Sequence, residues 1–300
     1  MSAIASLRTA VDALRRHPVL VLGGLCYGLV VMPQRAFQLA GVPIAPALLQ
    51  MLTFFLTPFV LAGVVGMARA GLDDTPSLDE LVAVGKDRYV ALLLATLLEF
   101  GVKLAFGIVL VLLAIALLVT GGSGAGAVVG AALVVIVAFV YLAVLFLIQF
   151  YPVIVVVDDA GPVEAVTESV DFVRSNLVGA LGFTAVTLLV GALAALPVTG
   201  VAAYNFATSG AGSGGSPGPI GGGMSPGGPA AGPEAANGTA ALGDVLASGG
   251  LGLSTPEVLA LSLVSVAMTA LLVAFRLTYA TAFYRSNDRS IEERVLDEEW

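Results

Sequence analysis

Six long apolar stretches, at residues 18–40, 44–67, 89–119, 125–157, 177–204 and 258–284, are separated only by short polar or glycine-rich breaks. A helix of about 20 apolar residues crosses the hydrocarbon core of a bilayer, and within one segment only a helix satisfies all its own backbone groups there. The pattern predicts an all-α polytopic membrane protein, with six transmembrane helices arranged as three hairpins. At 58% hydrophobic residues and a mean hydropathy of +1.00, a soluble fold would have to bury six such helices with no polar stripe on any of them. Composition excludes that class.

Net charge is −8, from 21 acidic and 13 basic residues, and the only lysines are Lys86 and Lys103. An acidic, lysine-poor exterior suits a high-salt cytoplasm, and codon bias in a GC-rich genome gives the same composition. The acidity argues against nucleic-acid binding. Cys26 is alone in an apolar run, so neither a disulfide framework nor a thiolate metal site is expected. Pro33, Gln34 and Arg35 follow the first apolar run where a cleavable signal would carry small residues.

The bases predict orientation. Arg8, Arg15, Arg16, Arg69, Lys86, Arg88, Arg174, Arg285, Arg289 and Arg294 all fall on one side of the predicted spans, and Arg35 alone falls on the other. Such a bias places both termini in the cytoplasm of a cell-membrane protein. The whole chain, 1–300, reads as a single membrane domain. Within it, residues 208–255 form a Gly/Pro-rich external loop whose composition cannot bury enough apolar area to order itself. Asn237-Gly238-Thr239 in that loop is an N-glycosylation acceptor on the permitted side.

Three cytoplasmic segments share one plan, an amphipathic helix followed by a basic residue and then a span. Residues 6–16 align Leu7, Ala10, Val11 and Leu14; residues 77–84 follow Thr75 as N-cap and Pro76; residues 162–173 align Val166, Val170 and Val173, with Glu164 in the first turn. The arrangement predicts three repeated units, each an in-plane helix and a two-span hairpin.

The stretch from Tyr151-Pro152-Val153 through Asp158-Asp159-Ala160-Gly161-Pro162, followed by Ser169, Phe172 and Arg174-Ser175-Asn176, resembles the membrane domain of glycerophosphoryl diester phosphodiesterases. That resemblance implies a strand-like apolar run, an acidic pair and a helix. Pro58-Phe59, Gly63, Gly66-Met67-Ala68-Arg69 and Gly85-Lys86-Asp87-Arg88-Tyr89 resemble, more specifically, an uncharacterised haloarchaeal branch of multispan proteins. These 300 residues hold no phosphodiesterase catalytic domain, so the resemblance carries no activity.

Ionisable residues inside spans are costly and mark sites of interest. Glu99 and Lys103 stand i,i+4 in span three, the favourable order for an ion pair, and Arg276 lies in span six. At 1.5 Å per residue Glu99, Gln149 and Arg276 fall roughly 13–15 Å inside the cytoplasmic edge. Together they form a candidate intramembrane polar layer. It is either a transport path or head-group site, or a neutralised cluster that locks helix register; snorkelling of Lys103 and Arg276 is the third option. Gly24-x-x-x-Gly28, Gly126-x-x-x-Gly130 and Ala62-x-x-x-Gly66-x-x-x-Ala70 are small-residue seams expected to pack helices within the chain. Gly214-Gly215-Ser216-Pro217-Gly218 matches a nucleophile elbow in letters only, because it lies in the loop and the sole histidine, His17, is on the other side. Asp158 and Asp159 read as an interfacial pair, either a cation site or, as most such pairs are, simply hydrated.

No metal, cofactor or enzymatic chemistry is implied. The expected role is a non-enzymatic membrane protein that organises lipids or partner membrane proteins. The alternative is a small transporter working through the polar layer.

Overall fold

The computed structural model describes residues 3–39, 44–73, 75–119, 125–210 and 255–298. Among them every regular element is helical: α1 (Ala3–Arg16), α2 (Val19–Leu39), α3 (Ala45–Asp73), α4 (Leu78–Val119), α5 (Ala125–Leu147), α6 (Tyr151–Val157), α7 (Pro162–Ser175), α8 (Leu177–Gly210) and α9 (Thr255–Glu298). Six segments are long and apolar enough to cross a bilayer, in α2, α3, α4, α5–α6, α8 and α9. The chain is an all-α multi-pass membrane protein; the consecutive spans α2–α3, α4–α5 and α8–α9 touch, and the most extensive packing is of α2 on α9 and of α3 on α4. Most of the Gly/Pro-rich segment expected to be external, with Asn237 and residues 214–218, lies outside the described residues.

Small residues set the closest contacts. A Cβ at Gly24 would stand 2.0 Å from the Ala270 carbonyl oxygen, and one at Gly28 would stand 3.0 Å from that of Val266. The seam on α2 therefore lets α9 approach to backbone contact. On α3, a Cβ at Gly63 would meet the Leu81 carbonyl oxygen at 2.4 Å, and one at Gly66 would meet Val84 at 2.8 Å. Gly130 faces Leu117 across the α4–α5 hairpin. The expected packing role is thus seen at Gly24, Gly28, Gly66 and Gly130; the side of Gly126 is not described.

The repeat needs correction in its second unit. Residues 77–84 are not a separate in-plane helix, because they begin α4, which continues unbroken to Val119. Ser77, not Thr75, caps it: its hydroxyl accepts from the Glu80 N–H at 3.1 Å. The glycine-lined face of α3 holds these turns upright against the bundle, which removes the reason for a bend at Lys86–Tyr89. In the first unit the buried face of α1 is Ser6, Ala10 and Ala13, with Leu7 and Leu14 flanking it. The small face wins because α1 lies close on α9: Tyr279 donates to the Ala3 carbonyl at 3.0 Å, and the Ser6 and Ser286 hydroxyls are 2.9 Å apart.

Span four is also interrupted. Its helix stops at Leu147 and restarts at Tyr151, and residues 151–157 are helical where the resemblance implied a strand-like run. Pro152 stands in the first turn of α6, where its missing N–H costs nothing. Gly161 caps α7, and its N–H donates to the Glu164 carboxylate at 3.1 Å, as the first-turn acid predicts. The buried face of α7 is Ala165, Ser169, Phe172 and Val173, so of the expected valine stripe only Val173 is fully covered. One face of α7 is packed against the bundle while Val163, Thr167 and Asp171 stay exposed, and aromatic packing decides its rotation. Phe172 meets Phe150, Phe283 and Tyr284 with ring centroids 5.1, 5.8 and 4.8 Å away.

Candidate functional site

The sequence-derived polar residues sort into a tight cluster and two neighbours. Glu99 and Lys103 lie one turn apart on α4, and their side chains form an ion pair of 2.8 Å with only 9% and 3% of their surfaces exposed. Lys103 Nζ engages Glu99 Oε1, and the Tyr151 hydroxyl donates to Oε2 at 2.7 Å. Thr96, one turn back, lies 3.4 Å from the same hydroxyl and donates to the Leu92 carbonyl at 2.8 Å. Both carboxylate oxygens thus have charged or hydroxylic partners, as a buried charge requires.

Position explains why these side chains meet. Leu92, Ala95, Thr96, Glu99 and Lys103 form the buried stripe of α4, at helical spacing. Beyond Lys103 no described residue of α4 is buried. The pair therefore stands where α4 leaves the bundle. Tyr151 reaches it from the first turn of α6, immediately after the break in span four.

Ser169 holds that break. Its hydroxyl accepts from the Phe150 N–H at 3.1 Å and donates to the Leu147 carbonyl at 2.9 Å. Two backbone groups freed by the interruption are thereby satisfied by one fully buried side chain, the condition under which irregular backbone survives at membrane depth. Gln149 sits in the break, but it is bonded elsewhere: its Oε1 accepts from Thr184 of α8 at 3.1 Å, and its buried Nε2 has no hydrogen-bond partner among the described residues. Arg276, half-buried on α9, acts electrostatically on the Tyr151 hydroxyl. The expected single layer is therefore a Thr96–Glu99–Lys103–Tyr151 cluster, with Arg276 beside it and Gln149 turned toward α8.

Sequence reasoning did not single out Thr96, and it named Tyr151 and Ser169 only as residues that carry a resemblance, without these hydrogen bonds. A usable signal for Tyr151 existed, since a tyrosine inside a span needs a partner for its hydroxyl.

A second polar set closes the other end of α6. Arg69 donates to the Val156 and Val157 carbonyls, the last of the helix, at 3.4 and 3.5 Å. Tyr284 donates to Asp158, and Arg88 pairs with Asp159, whose φ of 58° lies in the left-handed region. Arg285 meets Asp73 at 2.8 Å. The acidic pair is engaged by the protein, where simple hydration was expected. Among the described residues no three His, Cys, Asp or Glu side chains cluster as a metal would require.

The chain matches the family described as a domain of unknown function (DUF7847) over residues 1–287, and it belongs to that family. No curated protein and no solved structure matches it.

Proposed function

We propose that this integral membrane protein is a non-enzymatic scaffold that organises lipids or partner proteins in the cell membrane, with its polar cluster acting as a structural lock. One observation carries the reading: both oxygens of the Glu99 carboxylate are occupied by groups of the chain itself. The Lys103 ion pair neutralises the Glu99 carboxylate within α4, and the Tyr151 hydrogen bond ties that carboxylate to α6, so the buried charge is already served by the chain's own groups. Native mass spectrometry of protein extracted gently from its own membranes tests it. A lipid class or a second polypeptide retained at fixed stoichiometry supports the scaffold. Solute uptake into proteoliposomes that is abolished by a folded Glu99→Gln variant overturns it.

A second reading, a small transporter, draws on the break at residues 148–150 and on the unpartnered amide of Gln149. Discontinuous helices line the substrate sites of many transporters. The uptake assay decides between the two.

The orientation belongs to the same proposal. Both termini are cytoplasmic and residues 208–255 are external, on the strength of the basic-residue bias. Cysteines placed at Ser213 and Ser225 are expected to react with an impermeant maleimide on intact cells, and one at Ser290 is not. External labelling at Ser290 reverses the topology. In this reading, residues 151–176 keep their resemblance to the membrane domain of the phosphodiesterase group, without its catalysis.

A further inference from the structure

A groove of about 470 Å³ runs along α9 between α2 and α8, and α1 closes one end of it. Its size lies within the roughly 300–1,000 Å³ common for small-molecule sites. Leu271 and Phe275 of α9 form the floor, Val190 and Leu193 of α8 form a wall, and Leu14 and Arg15 of α1 stand at the closed end. Every lining side chain except Arg15 is apolar. Leu193 and Leu271 are 56% and 52% exposed, so the groove opens sideways, toward whatever surrounds the spans.

Charge is confined to one end. Arg15 is exposed and has no hydrogen-bond or ion-pair partner among the described residues, whereas Arg69, Arg88 and Arg285 are all engaged by the protein. Arg8 lies seven residues back, on the same face of α1, and is also exposed. The helix that carries them is held in place: Ala10 and Ala13 are buried, and Ala3 and Ser6 are bonded to α9. A guanidinium carried by a fixed helix at one end of an apolar trough between spans matches one kind of molecule, with a long apolar body and an anionic head.

We infer that the groove seats an acyl chain of an anionic phospholipid from the leaflet on the α1 side, with the lipid phosphate on Arg15. Arginine is suited to this role because its planar fork binds phosphate oxygens bidentately and sheds water more readily than an ammonium. The inference rests on the lipid-organising reading and names its ligand and its place.

Native mass spectrometry of the full chain in detergent, titrated with phosphatidylglycerol and with phosphatidylcholine of the same chains, tests it. One phosphatidylglycerol should be retained in preference to phosphatidylcholine. Arg15→Gln should lower that preference about five-fold, the effect of one basic residue near an anionic lipid surface, and leave phosphatidylcholine binding unchanged. Ala194→Trp, which fills the groove, should remove the retained lipid, whereas Val135→Trp on the exposed face of α5 should not. If Ala194→Trp fails to fold, Val190→Trp serves the same purpose. Full phosphatidylglycerol retention in the filled variants, or an unchanged preference in Arg15→Gln, overturns the groove while leaving a lipid-organising role elsewhere on the protein. The absence of any retained lipid in wild type removes both.

Discussion

Spans 45–73 and 128–157 are both apolar helical segments, but they live in different surroundings. The first has a mean hydropathy of 2.0, and 44% of its most apolar stretch is buried within the protein; the second has 3.2, and only 6% is buried. In water the order would be reversed, since the greasier helix would be driven inside. In a bilayer the lipid tails are as apolar as leucine, so hydrophobicity supplies no reason for two helices to meet. What brings them together is close backbone approach at small residues and polar contacts between spans. The inner assembly of α2, α3, α9 and the first turns of α4 has Gly24 and Gly28 at the α2–α9 contact and Gly63 and Gly66 at the α3–α4 contact. In the outer parts of α4 and α5, Leu112, Val119, Val128 and Phe139 are 60–80% exposed. The least hydrophobic surfaces are therefore the packed ones, and the most hydrophobic are left for lipid.

The largest effect is expected at the border between these regions. Glu99 and Lys103 are the last buried residues of α4 before it splays outward. Lys103→Met leaves a carboxylate uncompensated in low dielectric, and loss of one partner from a buried pair costs about 3–5 kcal/mol. Thermal unfolding in detergent should show that loss, and Glu99→Gln with Lys103→Met should recover most of it. Additive single effects would mean that the two side chains do not act as a pair. A parallel cycle with Arg276→Gln measures how far the charge beside Tyr151 shares in the lock. Strong coupling there would extend the packed region to α9 at this depth.

Next in size is the seam itself. Gly24→Leu places a side chain where even a Cβ would stand 2.0 Å from a carbonyl oxygen of α9. Overpacking of a fitted core costs about 1–3 kcal/mol, and the upper end is expected because backbone cannot yield as a side chain can. An unchanged unfolding temperature would show that α2 and α9 are not in backbone contact.

Local chemistry was legible in the sequence, and non-local chemistry was not. The Glu99–Lys103 pair could be read because both partners lie on one helix, one turn apart. The seams at Gly24, Gly28 and Gly66 could be read because small residues at a four-residue spacing make a face by themselves. Proline and glutamate at the start of α7 located its first turn. The break after Leu147 had Pro152 as a local mark at its restart, but Ser169, the group that makes it tolerable, lies on another helix beyond it. Tyr151 was hidden for the same reason, since its partner is on α4. The rotation of α7 was misjudged because a valine stripe signals an apolar face without saying whether lipid or protein covers it. Phe172, inside an aromatic cluster, settles that here.

Ser169→Ala probes the break with a smaller expected effect. It removes the acceptor of the Phe150 N–H and the donor to the Leu147 carbonyl, leaving two buried backbone groups without that partner. An unsatisfied buried group costs about 1–3 kcal/mol, and local tightening of the turn or an entering water should hold the total near the lower end. Hydrogen exchange should rise at residues 148–151 and not in α3. Exchange rising equally throughout the bundle would indicate a global loss of stability, with no separate role for Ser169 at the break.

Gly107→Ala is expected to have the smallest effect, and its sign is what matters. A Cβ at Gly107 meets nothing within 4 Å, in contrast to the backbone collision at Gly24. Alanine is the better helix former by about 1 kcal/mol in water, but that scale compares helix with coil. A span that stays helical in the unfolded, still-inserted state gains much less, so the substitution should fall between neutral and slightly stabilising. It adds a methyl group that lipid accepts without strain. If α4 and α5 meet only lipid at this level, Gly107→Ala should match or exceed wild type in thermal unfolding, and it should do so equally at low and high protein concentration. A loss of stability would mean that another polypeptide, or a second copy of the chain, approaches Gly107 as closely as α9 approaches Gly24. The outer hairpin would then be a packing surface awaiting its partner, and the contrast between the two regions would become one between an internal seam and an external one.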